Sequence, residues 1–227
     1  MLSRLAAALV PAFGQLTITV DGVDRTRGAA WIVQPGSIIT ANHDSMADPA
    51  VTLAALHSVG VRPVVMATAG LWRVPVLGRL LTKGEHIAVH RRSARAAEAL
   101  EHAAAALARG RHVLIYGEGG LPRRTDAGAC APESFRTGLA RLARAAGAPV
   151  VPVGHAGARR ITSGGNGKQL AGVLTAPLRR PRVHVHIGAP VLLPADIPEA
   201  TEAAHRAVTE SWAKAAEAVG ERVPQAA

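Results

Sequence analysis

The residues Asn42-His43-Asp44-Ser45-Met46-Ala47-Asp48-Pro49 are the segment of this chain whose types and spacing can do chemistry. A histidine followed five positions on by an aspartate can form a general base. The carboxylate takes one imidazole nitrogen, fixes the tautomer, and leaves the other nitrogen to accept a proton. The spacing alone is weak: with ten histidines and six aspartates in 227 residues, chance supplies it in roughly one such sequence in four. Two other readings use the same residues. Asn42, Asp44, Ser45 and Asp48 are helix-capping types and can simply cap a following helix, with His43 left exposed. Ser45 and His43 could instead form a nucleophile pair, although residues two apart seldom face each other. At this level all three readings stay open.

A strand must deliver this segment and a helix must receive it. Residues 37–40 read as strand and 50–56 as an apolar helix. Further strand-like runs lie at 16–20, 30–33, 61–67, 86–90, 112–116, 149–153 and 183–187. Between them, Ser93 can cap a helix over 94–109 that Gly110 stops, and Phe135, Leu139, Leu142 and Ala143 give a helical spacing over 134–146. Pro198 opens a last helix that Gly220 closes. Strands alternating with helices predict a single α/β domain with a central, mostly parallel sheet flanked by helices. In such sheets the site lies beyond the carboxyl ends of the strands, here after Thr40, Tyr116 and Val153. Residues 154–181 show the poorest periodicity and are expected to form a basic surface loop. Their Ser163–Lys168 run lacks the first glycine and the final Ser or Thr of a phosphate loop.

Composition narrows the class. With 48 % hydrophobic and 19 % charged residues in 227, wholesale disorder is excluded. No apolar run approaches the roughly 20 residues of a membrane span. The apolar start is interrupted by Pro11 and is too short for a secretory signal. A single cysteine, Cys130, excludes an internal disulfide framework and a cysteine-based zinc site, and the expected compartment is a reducing cytoplasm. Cys130 and His90 are read as structural. His184 and His186 alternate along one strand without a third ligand, so no metal site is expected. The net charge of +10 comes almost wholly from arginine, since lysine occurs only at positions 83, 168 and 214. GC-rich codon usage explains much of that excess; an anionic partner is the functional alternative. Nucleic acid is not expected, because 3 % aromatic residues leave few stacking platforms.

Four ordered blocks turn these readings toward one family. The Asn42–Pro49 segment resembles the Asn-His-x-Ser-x-x-Asp-Pro block of the glycerolipid acyltransferases. His86-Ile-Ala-Val-His-Arg91 is similar to the strand that ends in that family's phosphate-contacting arginine. Tyr116-Gly-Glu118-Gly119 resembles its Phe-Pro-Glu-Gly block. Phe135-Arg-Thr-Gly-Leu-Ala, then Ala148-Pro-Val-Val-Pro-Val153, resemble the helix and strand that follow. The likeness spans roughly residues 30–195.

The resemblance implies a glycerol-3-phosphate-acyltransferase-like fold, with residues 1–14 as an apolar N-terminal segment and 15–227 as the acyltransferase domain. It implies transfer of an acyl group from acyl-CoA or acyl carrier protein to the hydroxyl of a lysophosphatidic-acid-like acceptor. His43 and Asp48 would be catalytic, and Asn42, Ser45, Arg91, Glu118, Gly119, Gly120 and Arg123 would bind substrate. No cofactor or metal is implied. Two features depart from the family. The third block continues Gly120-Leu121 where Thr-Arg is usual, leaving arginines only at 123 and 124, and the approach from Gly84 to Arg91 is one residue longer. Both departures fall on acceptor recognition, so a non-glycerolipid hydroxyl or amine is the alternative acceptor. A non-catalytic protein that binds anionic lipid peripherally is the second alternative. Leu2, Leu5, Leu9, Val10 and Phe13 beside Arg4 fit a helix lying at the inner face of the cell membrane, and fit equally a helix packed on the domain.

Overall fold

Runs of Val, Ile and Thr make the sheet, because β-branched side chains pack well on a pleated surface. In the computed structural model, which describes residues 1–22, 33–91, 96–122, 130–221 and 223, these runs are β1 (Gln15–Val20), β2 (Ile38–Ala41), β3 (Val64–Thr68), β4 (Ile87–Val89), β5 (Val113–Tyr116), β6 (Val150–Ala156) and β7 (Arg182–Ile187). Among the described residues they form one sheet in the order β1-β7-β6-β2-β5-β3-β4. Strands β6, β2, β5, β3 and β4 run parallel. β7 lies antiparallel to β6 and carries β1 parallel beside it. The helices are α1 (Leu2–Phe13), α2 (Asp48–Ser58), α3 (Pro75–Lys83), α4 (Ala96–Ala108), α5 (Gly138–Ala146), α6 (Asn166–Arg179) and α7 (Ile197–Ala218). This is the expected α/β domain with a mostly parallel sheet.

Successive strand residues point to opposite faces, and both faces are buried. Ile39, Leu114, Val151 and Val153 join the cluster that α1 and α2 cover. Ile38, Val113 and Val150 join the one covered by α4 and α5. The first fourteen residues are part of this arrangement: α1 buries Ser3, Ala6 and Val10 and packs chiefly on α2. No described helix is long and apolar enough to cross a membrane.

Two expectations are corrected. The helix read from residue 134 begins at Gly138. The amides of Glu133 and Arg136 donate to Glu118 and to the carbonyl of Gly117, which holds 133–136 non-helical along the end of β5. The basic loop expected over 154–181 is instead the end of β6, a 3₁₀ turn (Ala158–Arg160) and α6. Glycines 167 and 172 and Pro177 weigh against a helix locally. Its buried contact is made by small Ala176 rather than by the leucines. Of the strand expected over 30–33, residues 30–32 lie outside the described residues, as does the Ser93 cap. Gly110 and Gly220 do adopt the left-handed conformation that ends their helices.

His86, at the entrance to β4, ties that strand to β3: its Nδ1 accepts the Val65 amide at 2.9 Å, which only a neutral ring nitrogen can do. Burial first, then the positive charges of the chain's N-terminal amino group and of Arg111, push its pKa down to about 4. The unfolded chain therefore binds this proton first as pH falls. The stability His86 contributes is complete above about pH 6.5 and is lost toward pH 4, by at most about 1.4 kcal/mol per pH unit. Urea unfolding of wild type and His86→Ala should show the variant less stable at pH 7.5 and the gap closing toward pH 4.

Candidate active site

Parallel pairing brings three strand ends together, with Ala41 of β2 opposite both Tyr116 of β5 and Val153 of β6. His43 follows β2 by two residues, Glu118 follows β5 by two, and His155 lies two beyond Val153 on β6. All three lie at the carboxyl ends of strands, where a parallel sheet places a site.

The turn from Asn42 to Asp48 is built around one oxygen. Oδ2 of Asp48, which is fully buried, accepts the amides of Asp44 and Ser45, each at 2.7 Å, and faces Nδ1 of His43 at 3.0 Å. The carboxylate thus ties the turn to the imidazole and does not cap α2, whose N-cap, Ala47, makes no side-chain capping bond, so the capping reading is not the one the fold adopts. Asp48 begins α2, where Pro49 is harmless because the first-turn amides have no partner in the helix. With Nδ1 held by Asp48, the free imidazole nitrogen is Nε2. The ring keeps 15 % of its side chain exposed and stacks on Tyr116 at 4.3 Å between centroids. Ser45 is not placed as a nucleophile. Its buried hydroxyl meets Thr162 at 2.6 Å and accepts the Ala47 amide.

Asn42 is also buried, and its side chain forms a reciprocal clamp with the backbone of His155: Nδ2 donates to the carbonyl at 3.1 Å and Oδ1 accepts the amide at 2.9 Å. His155 returns the contact, its Nε2 lying 2.6 Å from the Asn42 carbonyl and 3.8 Å from Asp48 Oδ2. Arg159, after β6, donates to the Asp44 carbonyl. The histidine turn is therefore braced from β6 and the turn that follows it. Asn42→Ala would leave the buried His155 amide without a partner, which is expected to cost about 1–3 kcal/mol in chemical denaturation.

Glu118 braces the other side. Oε1 accepts the His43 amide at 2.6 Å and Oε2 the Glu133 amide at 3.0 Å. Burial pushes its pKa up to about 7 against the lowering effect of those two amides. Asp44 is raised too, by burial and then by the Asp48 charge. Asn42, Asp44, Glu118, Pro122 and Cys130–Glu133 surround a nook of about 20 Å³. Arg91 is exposed and approaches the following loop: a Cβ on Gly120 would lie 3.4 Å from its guanidinium. Gly119, at φ +71°, is crossed by Arg136, whose Cδ would lie 2.7 Å from an added Cβ. Arg123 lies outside the described residues.

Sequence reading missed His155, Arg159, Thr162 and Arg136. Only Arg136 carried a signal, since it sits inside a quoted block. Asp44, Asp48 and His155 bring potential ligand atoms within 4.8 Å of one another. The hydrogen-bond network engages Asp48 Oδ2, with three contacts, and His155 Nε2, with a carbonyl, but leaves Asp44 Oδ1, Asp48 Oδ1 and His155 Nδ1 buried without a partner among the described residues. His184 and His186 form another such network with Thr17 and Thr19, at 2.7–2.9 Å.

The family model described as Acyltransferase matches residues 18–156. No curated protein sequence matches the chain significantly. Among solved structures, the 1-acyl-sn-glycerophosphate (LPA) acyltransferase PlsC from Thermotoga maritima is similar with a TM-score of 0.69. The identity is 18 %, covering 98 % of this chain and 80 % of that one, so the likeness is one of fold.

Proposed function

The chain belongs to the acyltransferase family, and on that premise we propose that it moves a fatty acyl group from acyl-CoA or acyl carrier protein to the hydroxyl of a lysophosphatidic-acid-like acceptor, with His43 as general base. The observation that carries this reading is the His43–Asp48 pair, with Nδ1 tied down at 3.0 Å and the second nitrogen free at the carboxyl end of the sheet. An alcohol is a weak nucleophile near neutral pH. Nε2 takes its proton as the oxygen attacks the thioester carbonyl, the C–S bond breaks, and the imidazolium returns the proton to the departing thiolate. Asp48 holds the ring and offsets the charge that forms on it. No acyl-enzyme is needed.

In this reading Asn42 and Ser45 act by positioning the turn, since their side chains are engaged within the protein. Glu118 and the Gly119–Gly120 backbone shape the acceptor side, and Arg91 holds the acceptor's phosphate in forked hydrogen bonds. A second reading, a non-glycerolipid hydroxyl or amine acceptor, is favoured by one observation: Gly120-Leu121 stands where the family's Thr-Arg is usual. Incubation with acyl-CoA or acyl carrier protein donors, against lysophosphatidic acid and a panel of unphosphorylated alcohols and amines, separates the two by the mass of the product. Acylation of lysophosphatidic acid supports the first, acylation of an unphosphorylated compound alone supports the second, and no transfer to any acceptor overturns both.

The reading also places the protein at the cytoplasmic face of a membrane, as a peripheral contact. Leu5 and Leu9 of α1 are 42 % and 50 % exposed beside Arg4. Deleting α1 would uncover the core that Ala6 and Val10 help fill, so the sound test is Leu5→Ser with Leu9→Ser.

A further inference from the structure

Helix α6 carries its large apolar side chains on the outside. Leu170, Leu174 and Leu178 recur every fourth residue, so they share one face, and they are 62 %, 68 % and 88 % exposed. The helix makes its buried contact through Ala176, while three leucines on its far side touch solvent. Monomeric proteins seldom expose such a stripe without a use.

Positive charge dominates around the stripe, and the carboxylate that reaches it, Glu221, is paired with Arg160 at 3.0 Å. Residues 134–195 contain nine arginines and lysines and no aspartate or glutamate. Lys168, Arg179, Arg180 and Arg182 are exposed on α6 and the start of β7. Beside the stripe, between α6 and the Ala158–Arg160 turn, lies a cleft of about 470 Å³. Its lining includes Ile161, Gly172 and Pro181 together with Arg160, Lys168 and Arg179. Neutral acceptors hold the Arg179 guanidinium in place, namely Thr175 Oγ1 and the carbonyls of Arg160 and Gly172. Its orientation is thus fixed while its charge is not cancelled by a carboxylate among these contacts.

We infer that the outer face of α6 is a docking surface for an anionic phospholipid bilayer, with Leu170, Leu174 and Leu178 entering the acyl boundary and Lys168, Arg179 and Arg182 meeting lipid phosphates. An apolar stripe edged by cations is the pattern of an interfacial helix. The leucines stand out into solvent, Leu178 almost fully, which suits a deformable lipid surface better than the preformed groove a protein partner would require. The cleft beside it has room for a headgroup. The inference deepens the membrane contact proposed above by assigning it to α6 rather than to α1 alone. Because it is read by binding, it stands or falls independently of acyl transfer.

The test is co-sedimentation of the full-length protein with vesicles of phosphatidylcholine alone and of phosphatidylcholine mixed with phosphatidylglycerol. Wild type is expected to partition onto the mixed vesicles, and less so at high salt. Leu170→Ser, Leu174→Ser and Leu178→Ser together should lower partition at least about tenfold, with Tm unchanged because these side chains face solvent. Lys168→Glu with Arg182→Glu should erase the preference for the mixed vesicles. Three results would overturn the inference: wild type left in the supernatant with both vesicles, the triple serine variant partitioning like wild type, or loss of partition only in the Leu5→Ser/Leu9→Ser protein. Binding to acyl carrier protein or self-association that depends on the leucines, without vesicle binding, would also overturn it.

Discussion

His43→Ala is expected to lower kcat by about 10²–10⁴-fold, the usual worth of a positioned general base. The ring is partly exposed, touching Tyr116 and Asp48 but filling no core position, so the fold should survive. Asp48→Asn should cost a comparable share of the rate, through loss of the charge that steadies the imidazolium. It should also cost stability. Oδ2 of Asp48 takes two backbone amides and the imidazole at once, and the amide side chain has only one oxygen with which to replace it. The two variants are thus separable: His43→Ala should melt close to wild type and Asp48→Asn below it. Wild-type turnover in both, with the identified acceptor, would remove His43 and Asp48 from the chemistry.

Arg91→Ala is expected to raise the KM of a phosphate-bearing acceptor by on the order of ten- to a hundredfold, the worth of a charge-assisted contact of about 1.5–3 kcal/mol. Arg91 is the cation from the sequence reading that the fold brings beside Gly120. Lysine should rescue poorly, because a point charge lacks the planar pair of donors. Arg136→Ala should act in the same direction, since Arg136 crosses Gly119 on the same loop. An unphosphorylated acceptor predicts a different split: acceptor KM nearly unchanged in these variants, with any loss falling on the acyl donor. Measuring the two KM values separately therefore reports on the acceptor's phosphate as well as on the arginines.

The alternation of strand and helix, the strand ends that carry the site, and the His43–Asp48 pair were legible in the sequence because each depends on short-range pattern. Period-2 and period-3.6 spacing act within about a dozen residues, and the His43–Asp48 turn closes within a single loop, with the two partners five positions apart. What tertiary structure alone decided lies between segments far apart in the chain. Asn42 and His155 are 113 residues apart and meet only because β2 and β6 are neighbours in parallel register. Ser45 reaches Thr162 across 117 residues for the same reason. Local signals went astray where packing outweighed them: the Glu133 and Arg136 amides bond to the end of β5 and delay α5, and α6 forms despite its glycines and proline. Spacing describes what a segment can do by itself, whereas strand order and register determine which side chains it meets.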